Sequence, residues 1–225
     1  MEELPEIIPV FPLTGALLLP GGRLPLHIFE ERYRNMVEDA LEGDRAIGII
    51  QPFGKAPQTY SEDTSDDSED AEEEDPELYD VGCVGLIERW ERLPDGRYIM
   101  LLRGVRRFTI SEELPQERGY RRVAASFEAF AVDSDDVEAD VVPDQLMGAL
   151  RQFAEAHKVP LELDRLEELS GLALLNSIAM ALPFPPAEKQ ALLEAPDVNQ
   201  RHELLLTLLD MGIELRGDVA QPMLN

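Results

Sequence analysis

The chain has 225 residues, enough for one large domain or two small ones with a buried core, and its 44% hydrophobic and 29% charged residues are typical of globular proteins. Its formal net charge of −26 disfavours nucleic acid and anionic membrane surfaces as partners, because phosphate binding depends on neutralisation by cations. The single cysteine, Cys83, excludes an intramolecular disulfide and a cysteine-based zinc cluster.

The opening residues 1–5 lack the basic and apolar pattern of a secretion signal. The most apolar later stretch, residues 172–182, is too short to span a membrane and contains Asn176 and Ser177. Both observations predict a cytoplasmic protein without membrane contact.

Residues 8–41 begin with apolar segments interrupted by prolines, which confine strands to sheet edges or strand ends. The Gly21-Gly22 pair permits a reversal, and the alternation that follows in residues 23–28 predicts a half-buried strand. From Phe29 onward the apolar residues recur at helical spacing, with Gly43 as the predicted end of the helix.

A buried strand is predicted at residues 46–50, followed by an acidic stretch. Residues 61–75 hold ten acidic side chains and no Lys or Arg, a composition typical of a disordered loop. We therefore predict a disordered acidic insertion over residues 61–77. It is either a solvated insertion between strands or a shield that imitates an acidic ligand over a basic patch.

Residues 81–90 and 97–102 are predicted to be paired strands joined by a turn at 93–96. Gly104 is expected to mark a bend or bulge before a strand at 106–110, with a connection at 114–119 and a last strand near 123–127. About six strands and one helix would suit a small closed or half-closed barrel.

An acidic junction at residues 133–140 precedes a helical half. Helices are predicted around residues 146–154, 163–182 and 186–193, with a final helix that Asp197 caps and that has Gly212 near its end. The predicted fold class is α+β: a β-barrel subdomain over 5–132 and an antiparallel α-helical bundle subdomain over 140–216.

No complete catalytic motif is present. Residues 48–55 have the wrong glycine spacing for a phosphate-binding loop, and Ala56 stands where Ser or Thr would hold magnesium. The three histidines are far apart in sequence, and Cys83 is expected to be an inert buried thiol. We predict no catalytic residues, no cofactor and no metal.

Several motifs resemble the Lon-type N-terminal substrate-binding domain, most of all versions of it that occur alone. They are Pro9-Val10-Phe11-Pro12-Leu13, Leu19-Pro20-Gly21, Leu24-Pro25-Leu26, Ile28-Phe29-Glu30-Glu31-Arg32-Tyr33, Val84-Gly85-Leu86-Ile87 and Gly104-Val105-Arg106-Arg107-Phe108. Glu31 stands where that family often has proline. Nothing in the sequence resembles the ATPase or the Ser/Lys protease module of Lon.

The resemblance implies a PUA-like β pseudo-barrel followed by helices, and a non-catalytic module that binds polypeptide segments or a protein partner, such as an ATP-dependent protease or a chaperone. Two alternatives remain at this point. One is nucleic-acid binding, since PUA-like barrels can bind RNA and residues 81–122 carry nine arginines against six acids. The other is an enzyme with an unrecognised small-molecule pocket.

Seven candidate binding residues carry the resemblance or lie in the basic region: Phe29, Glu30, Arg32, Tyr33, Arg103, Arg107 and Phe108. The competing structural interpretation places Tyr33 and Phe108 in the core and pairs Glu30 with an arginine such as Arg34. Arg103, Arg106 and Arg107 are either a binding patch or ordinary strand-face charges.

Overall fold

The computed structural model describes residues 4–53, 75–134, 141–158, 166, 168–169 and 171–219. Most of the predicted acidic insertion (61–74 of 61–77) and most of the predicted junction (135–140) lie outside the described residues, as do residues 163–165, 167 and 170 of the predicted helix 163–182.

Six strands form one mixed sheet: β1 (Ile7–Pro12), β2 (Arg23–Ile28), β3 (Ala46–Ile50), β4 (Val81–Arg92), β5 (Tyr98–Glu117) and β6 (Tyr120–Ser126). Their order is β2-β5-β4-β3-β1-β6, and β6 also pairs with β5. Five strands therefore form a closed circuit, and β2 is attached to the outside of β5. All pairings are antiparallel except β1 with β3.

The long strand β5 differs from the prediction of two strands and a connection. It runs without a break through residues 114–117, because its second half pairs with β6 and turns at residues 118–119. The predicted bulge at Gly104 is confirmed: Gly85 pairs with Gly104 and Val84 with Arg106, which leaves one extra residue on β5.

Gly104 also lets the loop that contains Leu19 approach β5 closely. A Cβ atom at this position would lie 2.2 Å from the carbonyl oxygen of Leu19. The loop before β2 therefore packs directly against the bulge. The amide of Gly21 donates to the carbonyl of Gly104 at 2.9 Å, and the amide of Gly104 donates to the carbonyl of Gly22 at 2.8 Å.

Helix α1 (Glu31–Glu42) buries Tyr33, Met36, Val37 and Ala40 on one face, and Gly43 follows it as predicted. Phe29 was expected to begin that face. It lies before the helix instead and is 60% exposed, so the helical period starts with Tyr33.

The second half contains α2 (Pro143–His157), α3 (Gly171–Ala181), α4 (Pro186–Glu194) and α5 (Val198–Val219), after a 3-10 segment at Glu128–Ser134. Asp197 precedes α5 as predicted, and its Oδ1 accepts the amide of Gln200 at 2.8 Å.

Gly212 was expected near the end of the last helix but lies within α5. A Cβ atom there would lie 2.7 Å from the ring of Phe153, so the glycine lets α2 and α5 approach closely. The buried face of α3 consists of Leu174, Leu175, Asn176, Ile178 and Ala179, whereas Ala173, expected on the buried face, is exposed.

The sheet and the helices share one hydrophobic core, to which Leu19 of the loop, Leu102 of β5, Leu174 of α3 and Leu209 of α5 all belong. A second, smaller cluster is drawn from the five strands of the closed circuit and includes Phe108. No helix within the described ranges is long and apolar enough to cross a membrane.

Candidate functional site

Among the described residues β2 is an edge strand, and its outward-facing backbone is the first component of the site. The bond from the amide of Gly104 to the carbonyl of Gly22 fixes the alternation of the β2–β5 ladder. Residues 24, 26 and 28 therefore bond to β5, while residues 23, 25 and 27 direct their backbone groups to the free edge. Pro25 lies on that edge, where its missing N–H costs no ladder bond.

A groove separates this edge from helix α3. It has a volume of about 630 Å³ and is lined on one side by residues 20–25 and on the other by Leu169, Leu172, Ala173, Asn176, Ser177, Met180 and Ala181. That volume lies within the range of about 300–1,000 Å³ typical of ligand sites. The lining is mainly aliphatic, so the groove suits an apolar chain more than a charged one.

Asn176 is the polar residue at the centre of the α3 wall, and it is only 4% exposed. Its Nδ2 donates to the carbonyl of Pro20 at 3.0 Å. Because a carbonyl can only accept, this bond fixes the orientation of the amide group. Oδ1 then remains a buried acceptor without a partner, which costs about 1–3 kcal/mol.

Arg23 is the charged residue of the described groove lining, and it is already paired. Its Nε lies 2.8 Å from Oε2 of Glu88 on β4. This hydrogen-bonded pair raises the pKa of Arg23 and lowers the pKa of Glu88. Both side chains therefore stay charged and bonded to each other at neutral pH.

Phe29 follows β2 and continues its exposed face. Its ring lies 6.1 Å from that of His27, which is opposite Ile99 on β5, another exposed apolar side chain. Pro25 is opposite Leu101 in the same ladder. An exposed, mainly apolar strip thus lies beside the edge strand, with Phe29 at its end.

The other candidates near α1 have mainly structural contacts. The Glu30 side chain bonds Arg32 at 3.0 Å and not Arg34, because Glu30 is the N-cap of α1 in an extended conformation and its side chain does not lie on the helix face. The Arg32 guanidinium lies 4.7 Å from the centre of the Tyr33 ring. Tyr33 is buried against Phe11, with ring centres 4.3 Å apart, and burial raises the pKa of its hydroxyl.

Arg107 and Phe108 are fully enclosed. Arg107 forms a two-bond pair with Asp133, with Nε–Oδ2 at 2.9 Å and Nη2–Oδ1 at 2.8 Å. Its Nη1 donates to the carbonyls of Leu193 and Ala195 at the end of α4, at 2.8 and 2.5 Å. Arg107 therefore ties the sheet to the helices and is not open to a partner. Arg103 is half-buried on β5, opposite Arg23.

Most arginines of the basic region 81–122 are paired with carboxylates, some inside the region and some outside it. Five of its arginines besides Arg107 form ion pairs with described carboxylates: Arg92, Arg97, Arg118, Arg121 and Arg122. The net positive charge of this segment in the sequence therefore does not produce a correspondingly basic surface at these positions.

The groups with catalytic potential are dispersed. Cys83 is fully buried, and burial raises the pKa of its thiol. His157 stacks on Phe153 and His202 is buried, with burial lowering the pKa of His202. Among the described residues no group of three or more His, Cys, Asp or Glu is arranged to hold a metal.

Sequence reasoning did not identify the α3 wall or Asn176 as part of a site. The available signal was an asparagine within the most apolar stretch of the chain, next to Ser177. The other wall was visible as the Pro20-Gly21-Gly22 reversal and the proline-bearing strand after it, but nothing local indicated that the two segments meet.

The comparisons with known proteins agree with the motifs quoted above. A family model described as the ATP-dependent protease La (LON) substrate-binding domain matches residues 7–211. Lon protease 2 of Myxococcus xanthus is 28% identical over 220 residues, covering 95% of this chain and 24% of that protein. Lon protease of Escherichia coli K12 is 27% identical over 211 residues, covering 92% of this chain and 25% of that protein.

Two solved structures have the same fold. A Lon N-terminal domain protein from Xanthomonas campestris gives a TM-score of 0.57 at 22% identity, covering 89% of this chain and 97% of that one. The N-terminal domain of Lon protease from the Mycobacterium avium complex gives 0.59 at 17% identity, covering 92% and 98%. The chain spans about a quarter of the length of the curated relatives, and the matched part is the substrate-binding domain. This chain therefore belongs to the Lon substrate-binding domain family.

Proposed function

We propose that the protein is a non-catalytic module that recognises polypeptide segments, in the manner its family name indicates. The observation that carries this proposal is the free edge of β2 beside an apolar groove, in a chain whose family is defined by substrate binding. An exposed strand edge offers hydrogen bonds that any polypeptide backbone can match, and apolar walls favour segments that are buried in folded proteins. Recognition then needs no reactive group.

We also propose the finer architecture that the sequence predicts: a PUA-like pseudo-barrel carrying the helices as a bundle. The closed circuit of five strands supports the barrel, and the shared core supports a fixed position of the helices against it. A rigid arrangement of this kind keeps the β2 edge and the α3 wall at a constant distance.

The charge distribution supports a protein ligand over nucleic acid. The chain carries a formal net charge of −26, and six of the nine arginines of the basic region form the ion pairs described above. Nucleic-acid binding requires several cations free to contact phosphates. The partners that follow from the proposal are unfolded or extended segments, together with an ATP-dependent protease or chaperone that would act on them in the cytoplasm.

Fluorescence anisotropy with a permanently unfolded protein tests the proposal. Labelled α-lactalbumin, reduced and carboxymethylated, should bind the purified chain with a saturable signal, whereas the native disulfide-bonded form should not. The same preparation should neither hydrolyse ATP nor cleave casein. Equal binding of both forms, or of neither, would contradict the proposal, as would a hydrolytic activity that a point substitution in this chain abolishes.

A further inference from the structure

We propose that the groove between β2 and α3 takes an extended, uncharged polypeptide segment as an added strand on β2, with Asn176 accepting a backbone N–H of that segment. This inference rests on the proposed function and specifies its site and binding mode. It is carried by three features that line the same groove: the free backbone groups of β2, the unpaired Oδ1 of Asn176 and the aliphatic wall of α3.

The free edge defines which atoms the added strand meets. Within the groove the ladder alternation turns the N–H of Arg23 and the carbonyls of Arg23 and Pro25 away from β5. Among the described residues no strand pairs with this edge. Pro25 has no N–H and interrupts the row of donors on this edge, so the ligand carbonyl opposite it receives no hydrogen bond from β2. The same interruption makes β2 a poor template for extended aggregation.

Asn176 supplies a polar contact from the opposite wall. Its amide orientation is fixed by the bond to Pro20, so the unpaired atom is an acceptor and matches an N–H donor. A strand lying in the groove has donors on both of its edges, one set toward β2 and the other toward α3. Oδ1 is buried in the free protein, so a single segment bonded to β2 can also satisfy Asn176 once it displaces the atoms that cover this oxygen.

The lining determines the chemistry of the occupant. The charged side chain Arg23 is bonded to Glu88, and the remaining lining residues are aliphatic, small or uncharged polar. A charged side chain buried here would lose hydration without gaining an ion pair. A second copy of this chain is the less favoured occupant, because two chains of net charge −26 repel each other.

The first experiment blocks the groove. The probe is a fluorescein-labelled, end-capped peptide of alternating threonine and valine, eight residues long, flanked by glycines. Ala173→Trp places a large side chain at an exposed position of the α3 wall, and Ala191→Trp makes the same change at an exposed position of α4 outside the groove. We expect Ala173→Trp to weaken binding at least tenfold while Ala191→Trp matches the wild type. Equal affinities for the two variants would overturn the proposal.

The second experiment separates backbone bonding from apolar contact. Arg23→Pro removes the outward N–H, whereas Arg23→Ala removes the same side chain but keeps that N–H. Loss of one net hydrogen bond should make Arg23→Pro bind about 3- to 10-fold more weakly than Arg23→Ala. Should Arg23→Pro melt well below Arg23→Ala, the comparison is made on the ligand instead. Peptides N-methylated on one alternating set of amides should lose binding. If methylation of neither set changed the affinity, strand addition would be refuted.

A third arm addresses Asn176. Asn176→Leu keeps the side-chain size and removes the acceptor, so it should weaken peptide binding severalfold, in addition to the small drop in melting temperature from losing the bond to Pro20. Unchanged peptide affinity would remove Asn176 from the site. If the wild type binds unfolded α-lactalbumin but all groove variants bind equally well, the proposed function stands and this site assignment is wrong. A dimer that dissociates in Ala173→Trp would identify a second copy as the occupant and also overturn it.

Discussion

Replacing Arg107 with methionine should be among the most destabilising single changes in the protein, although this residue looks from the sequence like a strand-face charge. The side chains of Arg107 and Asp133 are only 1% and 7% exposed. Arg107 is bonded to Asp133 and to the carbonyls of Leu193 and Ala195. The substitution keeps most of the aliphatic volume, leaves the buried Asp133 carboxylate with only the backbone amide of residue 107 as a donor, and leaves two carbonyls without their side-chain donor.

Breaking a buried ion pair by removing one partner typically costs about 3–5 kcal/mol. The orphaned carbonyls of α4 place the expected loss in the upper half of that range. Since the free energy of unfolding of native proteins is only about 5–15 kcal/mol, Arg107→Met should remove a large fraction of the stability. With a urea slope of about 3 kcal/mol per molar, the unfolding midpoint should fall by more than about 1 M.

Urea titration followed by far-UV circular dichroism measures this shift. Arg97→Met is the matched control, because Arg97 pairs with Asp95 at the surface, and its midpoint should equal that of the wild type. Asp133→Asn added to Arg107→Met should recover part of the loss, because it removes the stranded charge while keeping an acceptor for the Arg107 backbone amide. A midpoint for Arg107→Met indistinguishable from that of Arg97→Met would refute this reasoning.

Three further outcomes are expected. Leu174→Ala should cost about 2–5 kcal/mol in the same titration, since Leu174 is buried in the shared core; a loss under about 0.5 kcal/mol would contradict that placement. Burial lowers the pKa of His202 in the folded state. At pH values between this lowered pKa and about 6.5, the unfolded chain therefore binds more protons than the folded chain. Stability should therefore decline as the pH falls below about 6.5, and His202→Gln should flatten this slope; an unchanged slope would show that other groups cause it. Deleting residues 61–74 should leave the melting temperature nearly unchanged, because the backbone bond from Phe53 to Glu77 holds the two stems together, and it should alter partner binding at low salt more than at 0.5 M salt. Unfolding of the deletion variant would show a structural role for the acidic segment.

Local patterns predicted the elements whose own residue pattern reflects their burial. Strand β3 was predicted at the residues it occupies, and the alternation in β2 and the face of α1 from Tyr33 were predicted correctly. In β2 and α1 the hydrophobic period separates the buried side from the exposed side, whereas β3 is a continuous apolar run that is buried on both faces.

Features created by long-range packing were not predictable in this way. Residues 114–117 look like a connection because Pro115 interrupts them, yet pairing with β6 keeps them in β5. Arg107 resembles Arg103 and Arg106 in sequence, but its acceptors lie 26 to 89 residues away. The β2–α3 groove depends on a contact between Pro20 and Asn176, which are 156 residues apart.

Hydrogen–deuterium exchange of the wild-type chain, with and without unfolded α-lactalbumin, tests most directly that polypeptides are recognised at the β2 edge. We expect new protection in peptides covering residues 20–28 and 171–181, because the free N–H groups of β2 become bonded and α3 becomes covered. Peptides covering β1 and β3, which already pair within the sheet, should exchange as before. Binding accompanied by protection only outside residues 20–28 and 171–181 would contradict the account.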